Sequence, residues 1–158
     1  MNRPLTSSPH QSVLLDEAVQ ALVGSPSGIY IDATFGRGGH SEKILSKLDS
    51  DARLLAIDRD EEAVAFGREK FAAEPRIEFA LSSFSNLKTL VVERNWQGKL
   101  SGVLLDLGVS SPQLDQAERG FSFQRSGPLD MRMSQHRGET AADWINRAGD
   151  EEIADVLW

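Results

Sequence analysis

The chain contains no cysteine. Disulfides, thiolate metal sites and a cysteine nucleophile are therefore excluded within it. Histidine is scarce as well, and His10, His40 and His136 are too scattered to make a zinc motif, so no metal site is expected. No run of about 18 apolar residues is present, and the opening segment lacks the basic-then-apolar order of a secretory signal. No membrane association is expected, and the default address is cytoplasmic. Positive charge is also short: 17 Lys and Arg face 24 Asp and Glu, for a formal net charge of −7. A protein that coats nucleic acid through a general positive field would not carry that balance.

What is present is enough apolar sequence, 40% of 158 residues, for a domain with a true core. Leu14, Leu15, Ala18, Val19, Leu22 and Val23 recur at helical spacing between Ser12, a candidate N-cap, and Gly24. Ile29-Tyr30-Ile31 reads as a buried strand, and a helix through Ile44, Leu45 and Leu48 follows. Leu54-Leu55-Ala56-Ile57 is a second strand closing at Asp58, and Asp60 can cap a helix that turns Ala63, Val64, Phe66 and Phe71 inward. A weaker strand, Ile77 to Leu81, precedes a helix through Leu87, Leu90 and Val91 that runs toward Gln97-Gly98. Val103-Leu104-Leu105 is the fourth strand, closing at Asp106. Strands alternating with helices predict an α/β, doubly wound parallel sheet.

From Gln113 onward turn residues and arginines take over. Two short helices are predicted after them: one behind a Thr140-x-x-Asp143 capping box and stopped by Gly149, the other capped by Asp150 with Ile153, Val156 and Leu157 on one face. Between them and the fourth strand, residues 119–138 hold Arg119, Arg125, Arg132 and Arg137 against a single acid, Asp130, with Phe121 and Phe123 close by. This basic island is either a solvated loop whose arginines pair with local carboxylates or a surface that meets RNA.

The first strand runs into Asp32-Ala33-Thr34-Phe35-Gly36-Arg37-Gly38-Gly39-His40. Ligands of open α/β sheets bind beyond the carboxyl ends of the strands, and the first strand-to-helix turn forms one wall. Glycines there allow a sharp turn and a close approach to a ligand, though a glycine-rich turn without a ligand has the same appearance. A pyrophosphate wants free helix N–H groups and no carboxylate nearby, so Asp32 favours a cofactor with cationic groups, S-adenosylmethionine. Ser41 also stands where a dinucleotide fingerprint usually carries its third glycine or alanine. A nicotinamide-dependent oxidoreductase is accordingly the weaker alternative.

Asp58, ending the second strand, is placed to accept hydrogen bonds from both ribose hydroxyls, a position common to nicotinamide enzymes and methyltransferases. A turn or cap residue is its plain alternative. Phe84 can lie against adenine or belong to the core. The turn Ser110-Ser111-Pro112-Gln113 follows Asp106 and Leu107-Gly108-Val109, where a methyl acceptor is expected. Methyl transfer from an activated sulfonium asks the protein mainly to position the nucleophile. Without cysteine, C5 methylation of a pyrimidine is disfavoured. An exocyclic amine suits a turn whose oxygens draw its hydrogens out of conjugation, although Ser-Ser-Pro is also an ordinary turn.

Taken together, His10-Gln11-Ser12-Val13-Leu14-Leu15, Asp32 to His40, Leu54 to Arg59, Leu104 to Leu114, Glu118 to Phe123 and Gly127 to Met133 closely resemble the ribosomal RNA small subunit methyltransferase H family. That family methylates N4 of a cytidine in the decoding region of 16S rRNA. The resemblance implies a Rossmann-like sheet, S-adenosyl-L-methionine as cofactor and 16S rRNA within the small ribosomal subunit as partner, with a homodimer also open. It implies that Gly38, Gly39 and His40 contact the methionine end of the cofactor, Asp58 its ribose and Phe84 its adenine side. Asp106 and Gln113 would lie near the reacting centre, and Asp106, Ser111 and Gln113 are the candidate catalytic residues. It also implies a division into a cofactor-binding half, residues 1–114, and the start of an inserted helical substrate-recognition domain, 115–158. With about four strands the sheet is incomplete, so a fragment is expected. A truncated cofactor-binding module without catalysis is the alternative that follows.

Overall fold

The computed structural model describes residues 14–158, so the proposed Ser12 cap and the His10–Val13 part of the resemblance lie outside the described residues. These residues form two compact units, the first running up to Leu107 and the second spanning Gly108–Trp158.

The first unit is built in the order α1 (Leu15–Leu22), β1 (Ile29–Asp32), α2 (Gly39–Leu45), β2 (Arg53–Asp58), α3 (Glu61–Lys70), β3 (Ile77–Leu81), α4 (Leu87–Glu93) and β4 (Leu100–Leu104). The strands form one parallel sheet in the order β3-β2-β1-β4. Period-two alternation sorts the two faces. Tyr30, Leu54 and Leu104 pack with Val19 of α1 and Ile44 and Leu45 of α2. Ile31, Leu55 and Ile57 point the other way, onto Val91, Leu87 and Leu90 of α4. Each such side chain fully buried contributes about 1.5–3 kcal/mol, and helices on both faces make the doubly wound arrangement expected from the alternating pattern.

Element boundaries differ from the sequence expectation in several places: α2 ends at Leu45, short of Leu48, β4 ends at Leu104, short of Leu105, and two further shifts have a visible cause. β4 begins at Leu100 rather than Val103, because Leu100 and Gly102 pair with Ile29 and Tyr30 of β1, with Ser101 at the register shift between them. Gly102 sits against Leu22 and Tyr30 so closely that a Cβ would lie 2.7 Å from the Leu22 Cδ1. α4 stops at Glu93, short of Gln97-Gly98, where Asn95 turns into the left-handed region at φ 56°. The Asp60 cap forms as expected, its carboxylate accepting from the Glu62 N–H at 3.0 Å.

The order 3-2-1-4 carries the functional consequence. From β1 the chain winds outward through β2 and β3, then crosses back to place β4 on the opposite side of β1. The strand order reverses between β1 and β4, and the carboxyl ends of those strands flank the crevice where such sheets take ligands.

In the second unit, α5 (Ser111–Asp115) and a 3-10 turn (Ala117–Arg119) precede α6 (Ala141–Arg147) and α7 (Asp150–Leu157). The capping box at Thr140 and Asp143 is present, whereas Asp150 is the first residue of α7 and Gly149 its N-cap. By compactness the second unit begins at Gly108, seven residues before the expected 114/115 division, and α5 bonds within it: the Gln113 amide reaches Met133, and the Arg125 guanidinium donates to the Asp115 carbonyl at 2.6 Å.

The basic island is largely an internal brace. Arg119 is 1% exposed, and its guanidinium donates to the carbonyls of Met133 at 2.9 Å and Arg132 at 3.4 Å. Arg132 grips Asp130 through two guanidinium nitrogens, at 2.9 and 2.7 Å, and holds its carboxyl below the usual range. The loop closes tightly on itself: a Cβ on Gly127 would stand 1.9 Å from the Ala117 carbonyl oxygen, and Gly120, at φ 78°, is equally enclosed. Two of the island's four arginines are thus engaged within the loop, Arg119 buried against carbonyls and Arg132 paired with Asp130. Arg119→Ala is expected to destabilise the second unit by about 2 kcal/mol or more, since buried carbonyls lose their donors. Arg137→Ala, on an exposed residue, should stay within about 0.5 kcal/mol. Denaturant unfolding, with hydrogen exchange of peptides from 117–142, measures both.

Candidate active site

Beyond Asp32 the chain leaves β1 but not its neighbours. The Ala33 N–H donates to the Leu104 carbonyl at 2.9 Å and the Phe35 N–H to the Ile57 carbonyl at 3.0 Å, so successive parts of the loop are tied to β4 and then to β2. Gly36, at φ 55°, directs its N–H onto Asp58 Oδ2 at 2.7 Å. Gly38, at φ 75°, serves as N-cap of α2, and a Cβ there would collide with the Phe35 ring at 2.6 Å. Both the dihedral and the packing thus require glycine. The intrahelical ladder of α2 starts with the Glu42 N–H on the Gly38 carbonyl, which leaves the N–H groups of the first turn, Gly39 and His40 among them, pointing off the helix end.

The other candidates converge on this loop. Asp58, closing β2, takes the Gly36 N–H on one carboxylate oxygen and the Asp60 N–H, at 3.0 Å, on the other. Burial pushes its carboxyl above the ordinary range, against those two hydrogen bonds. The Ser82 N–H donates to the Asp58 carbonyl at 2.8 Å, and the chain then enters the 3-10 turn at Phe84, whose ring is 42% exposed. Asp106 follows β4, its N–H held by Thr34 Oγ1 at 2.7 Å. Its half-exposed carboxylate stands 3.7 Å from Nδ1 of the buried His40. Gly38, Gly39, His40, Asp58, Phe84 and Asp106 therefore share the carboxyl end of the sheet. Among the described residues no group of three or more metal-ligating side chains comes together.

Asp32 has a different role from the one its position suggested. It is completely buried, with Oδ2 accepting from Ser41 Oγ at 2.7 Å and Oδ1 from the Thr34 N–H at 3.2 Å. It braces the loop against α2 instead of presenting a charge to a ligand, so it does not itself select a cationic cofactor. Period two explains the contact: Asp32 shares the face of Tyr30, on which α2 packs. Thr34 and Ser41 were missed as site supports, since hydroxyls beside a strand end carry no sequence signal until the fold brings them to their partners.

Ser111 and Gln113 belong to the second unit. Ser111 is the first residue of α5, and Gln113 closes a capping box in which its Oε1 accepts the Ser110 N–H at 2.9 Å. Gln113 is 4% exposed and its amide donates to Met133 Sδ at 3.3 Å. Ser110-x-x-Gln113 is a capping signature in the sequence itself, and the structure forms it.

The family model described as the MraW methylase family matches residues 7–158. The chain belongs to that family. It is 53% identical over 154 residues to ribosomal RNA small subunit methyltransferase H of Idiomarina loihiensis, covering 97% of this chain and 49% of that protein. The chain therefore spans about half the length of this relative. Among solved structures, an rRNA methylase from Streptococcus thermophilus aligns at TM-score 0.40 and 22% identity, over 48% of this chain and 44% of its own. A chain from Clostridium thermocellum aligns at TM-score 0.44 and 18% identity, over 52% and 46%. Membership in a methylase family leaves the nicotinamide alternative without support.

The buried Asp32 gives a test of the loop brace. Burial is the largest influence on its carboxyl and raises its pKa, while the bonds from Ser41 and Thr34 pull it back only in part. A folded-state pKa above the unfolded one contributes stability that is full at low pH and is lost as pH rises through the folded value. The stability of wild type relative to Asp32→Asn should accordingly fall from pH 4 toward pH 7, roughly the span above the unfolded carboxylate range. Urea unfolding of both proteins across that span measures the difference, and a flat difference would remove the raised carboxyl.

Proposed function

We propose that the chain is the cofactor-binding half of an S-adenosylmethionine-dependent methyltransferase acting on the N4 amine of a cytidine in 16S rRNA, within the small ribosomal subunit and in the cytoplasm. One observation carries this reading: in a methylase-family chain, the loop after β1, Asp58 and Asp106 are tied together at the reversal of strand order. The residues present fit the cofactor. Glycine is obligatory at Gly38, and first-turn N–H groups of α2 suit the carboxylate of a methionine moiety. Asp58 accepts backbone N–H groups on both oxygens, and each oxygen, with two lone pairs, can also take a ribose hydroxyl. Phe84 offers an exposed ring face to adenine.

When bound, S-adenosylmethionine supplies a methyl group on a positively charged sulfur. The chain's own task is to place the acceptor and adjust its electrons. An exocyclic cytosine amine is a weak nucleophile while its lone pair is conjugated with the ring. The Asp106 carboxylate is assigned to accept a hydrogen bond from that amine, which favours a pyramidal nitrogen with an available lone pair. Ser111 and Gln113, in the second unit, are assigned to turnover as well. Residues 115–158 are assigned to the opening of a substrate-recognition domain, and the target base must be unpaired or flipped out for its amine to be reached.

Asp58→Ala should weaken S-adenosylhomocysteine binding by roughly 10- to 100-fold, as expected for lost bonds to a charged acceptor. Calorimetry with that ligand and with NAD checks the cofactor, and tight binding of NAD alone would overturn the reading. Transfer of a tritiated methyl group to 30S subunits, by this chain and by a version carrying the additional length of its relatives, distinguishes an active half from a binding module. For RNA, Arg125→Ala and Arg137→Ala should each reduce the salt slope of binding by about one. Unchanged slopes would return the island entirely to a structural role.

A further inference from the structure

Gln113 has an unusual anchor. A glutamine amide nearly closed off from solvent must satisfy both of its ends, because a buried unpaired polar group costs far more than an ordinary hydrogen bond contributes. Its orientation here is decided by the backbone: the Ser110 N–H needs an acceptor, so Oε1 faces the helix cap and Nε2 faces away from it. On that far side Nε2 donates to the Met133 thioether sulfur, 3.3 Å away. Thioether sulfur is a weak acceptor, yet its long side chain can be shaped to reach a single donor.

The sulfur is itself held in place. Arg119 Nη2 donates to the backbone carbonyl of Met133 at 2.9 Å and to that of Arg132 at 3.4 Å. The same buried arginine accepts the Met131 N–H on its own carbonyl at 3.0 Å. A continuous set of contacts thus runs from the Arg119 brace, through the backbone of residues 131–133 and the Met133 side chain, to the Gln113 amide and the N-terminus of α5.

We propose that Met133 is a positioning residue for Gln113, its sulfur fixing the plane and rotamer of the amide so that the α5 cap and the site residue are held as one unit. This rests on the assignment of Gln113 to the site under the proposed function. Met133 touches neither cofactor nor substrate in this scheme and acts only through Gln113. Arg119 acts one step further back, by holding the backbone that carries the sulfur.

The test compares Met133→Leu, which keeps the volume but removes the acceptor, with Met133→Gln, which restores an acceptor at similar length. The three readouts are S-adenosylhomocysteine affinity, turnover on 30S subunits in the form carrying the additional length of its relatives, and the side-chain amide NMR resonances of Gln113. Met133→Leu should shift those resonances and weaken affinity or turnover about fivefold to tenfold, with an unfolding midpoint moved by no more than a few degrees. Met133→Gln should recover most of the loss. In the background of Gln113→Ala, Met133→Leu should cost nothing further. Unmoved Gln113 resonances in Met133→Leu, or a loss that adds in full to that of Gln113→Ala, would overturn the proposal. If Gln113→Ala itself binds and turns over as wild type while the resonance shift persists, the contact is real but the assignment of Gln113 has failed, and the positioning role falls with it.

Discussion

The backbone of residues 33–38 must find partners for its N–H groups where β1 ends and its neighbours diverge, and the way it does so sets the site. An unpaired N–H buried at that point would cost more than a formed hydrogen bond gains. Ala33 bonds to β4, Phe35 to β2, and Gly36 to the Asp58 side chain. The loop consequently straddles both flanking strands. Asp58, Ser82 with Phe84 beyond it, and Asp106 are each fixed by a bond to this loop or to a residue the loop fixes. Their convergence follows from backbone hydrogen bonding before any ligand chemistry is considered.

Much of this was legible in the sequence because it rests on local or periodic signals. The apolar runs at Ile29, Leu54 and Ile77 carry β1, β2 and β3, and Asp60 and Thr140 cap the helices they were expected to cap. The acids at strand ends were identifiable since a parallel strand that stops at a carboxylate marks the ligand edge of such a sheet. What escaped depends on pairing across long sequence distances. Gly102 is strand only through its pairing with Tyr30 of β1, the Thr34 hydroxyl matters through Asp106, and Ser41 through Asp32. Side-chain composition cannot reveal a partner that lies many residues away.

Asp32 and Asp58 show how burial separates a scaffold acid from one that keeps access to the surface. Both close central strands, and burial raises the carboxyl of each. Asp32 is wholly enclosed, and its partners are a hydroxyl and an N–H belonging to the loop and helix it joins. Asp58 is only partly buried and gives one oxygen to each of two backbone donors, which orients the carboxylate without exhausting it. Under the proposed function the same acid orders the loop and accepts the ribose hydroxyls, so that ordering of the loop and readiness for the nucleoside would be a single event.

The arginines of the second unit carry the same lesson for charge. Counted along the chain, Arg119, Arg125, Arg132 and Arg137 make a basic island; counted by contacts, Arg119 and Arg125 donate to backbone carbonyls of the segment and Arg132 pairs with Asp130. Arg119 satisfies carbonyls, and Arg132 neutralises Asp130, so neither can release counterions from a phosphate without dismantling the fold that presents the rest. Under the proposed function, an acidic chain that commits arginines this way would recognise RNA through the shape of the braced segment and the few charges at its surface, not through bulk electrostatic attraction, which favours a folded, structured target over arbitrary single strands.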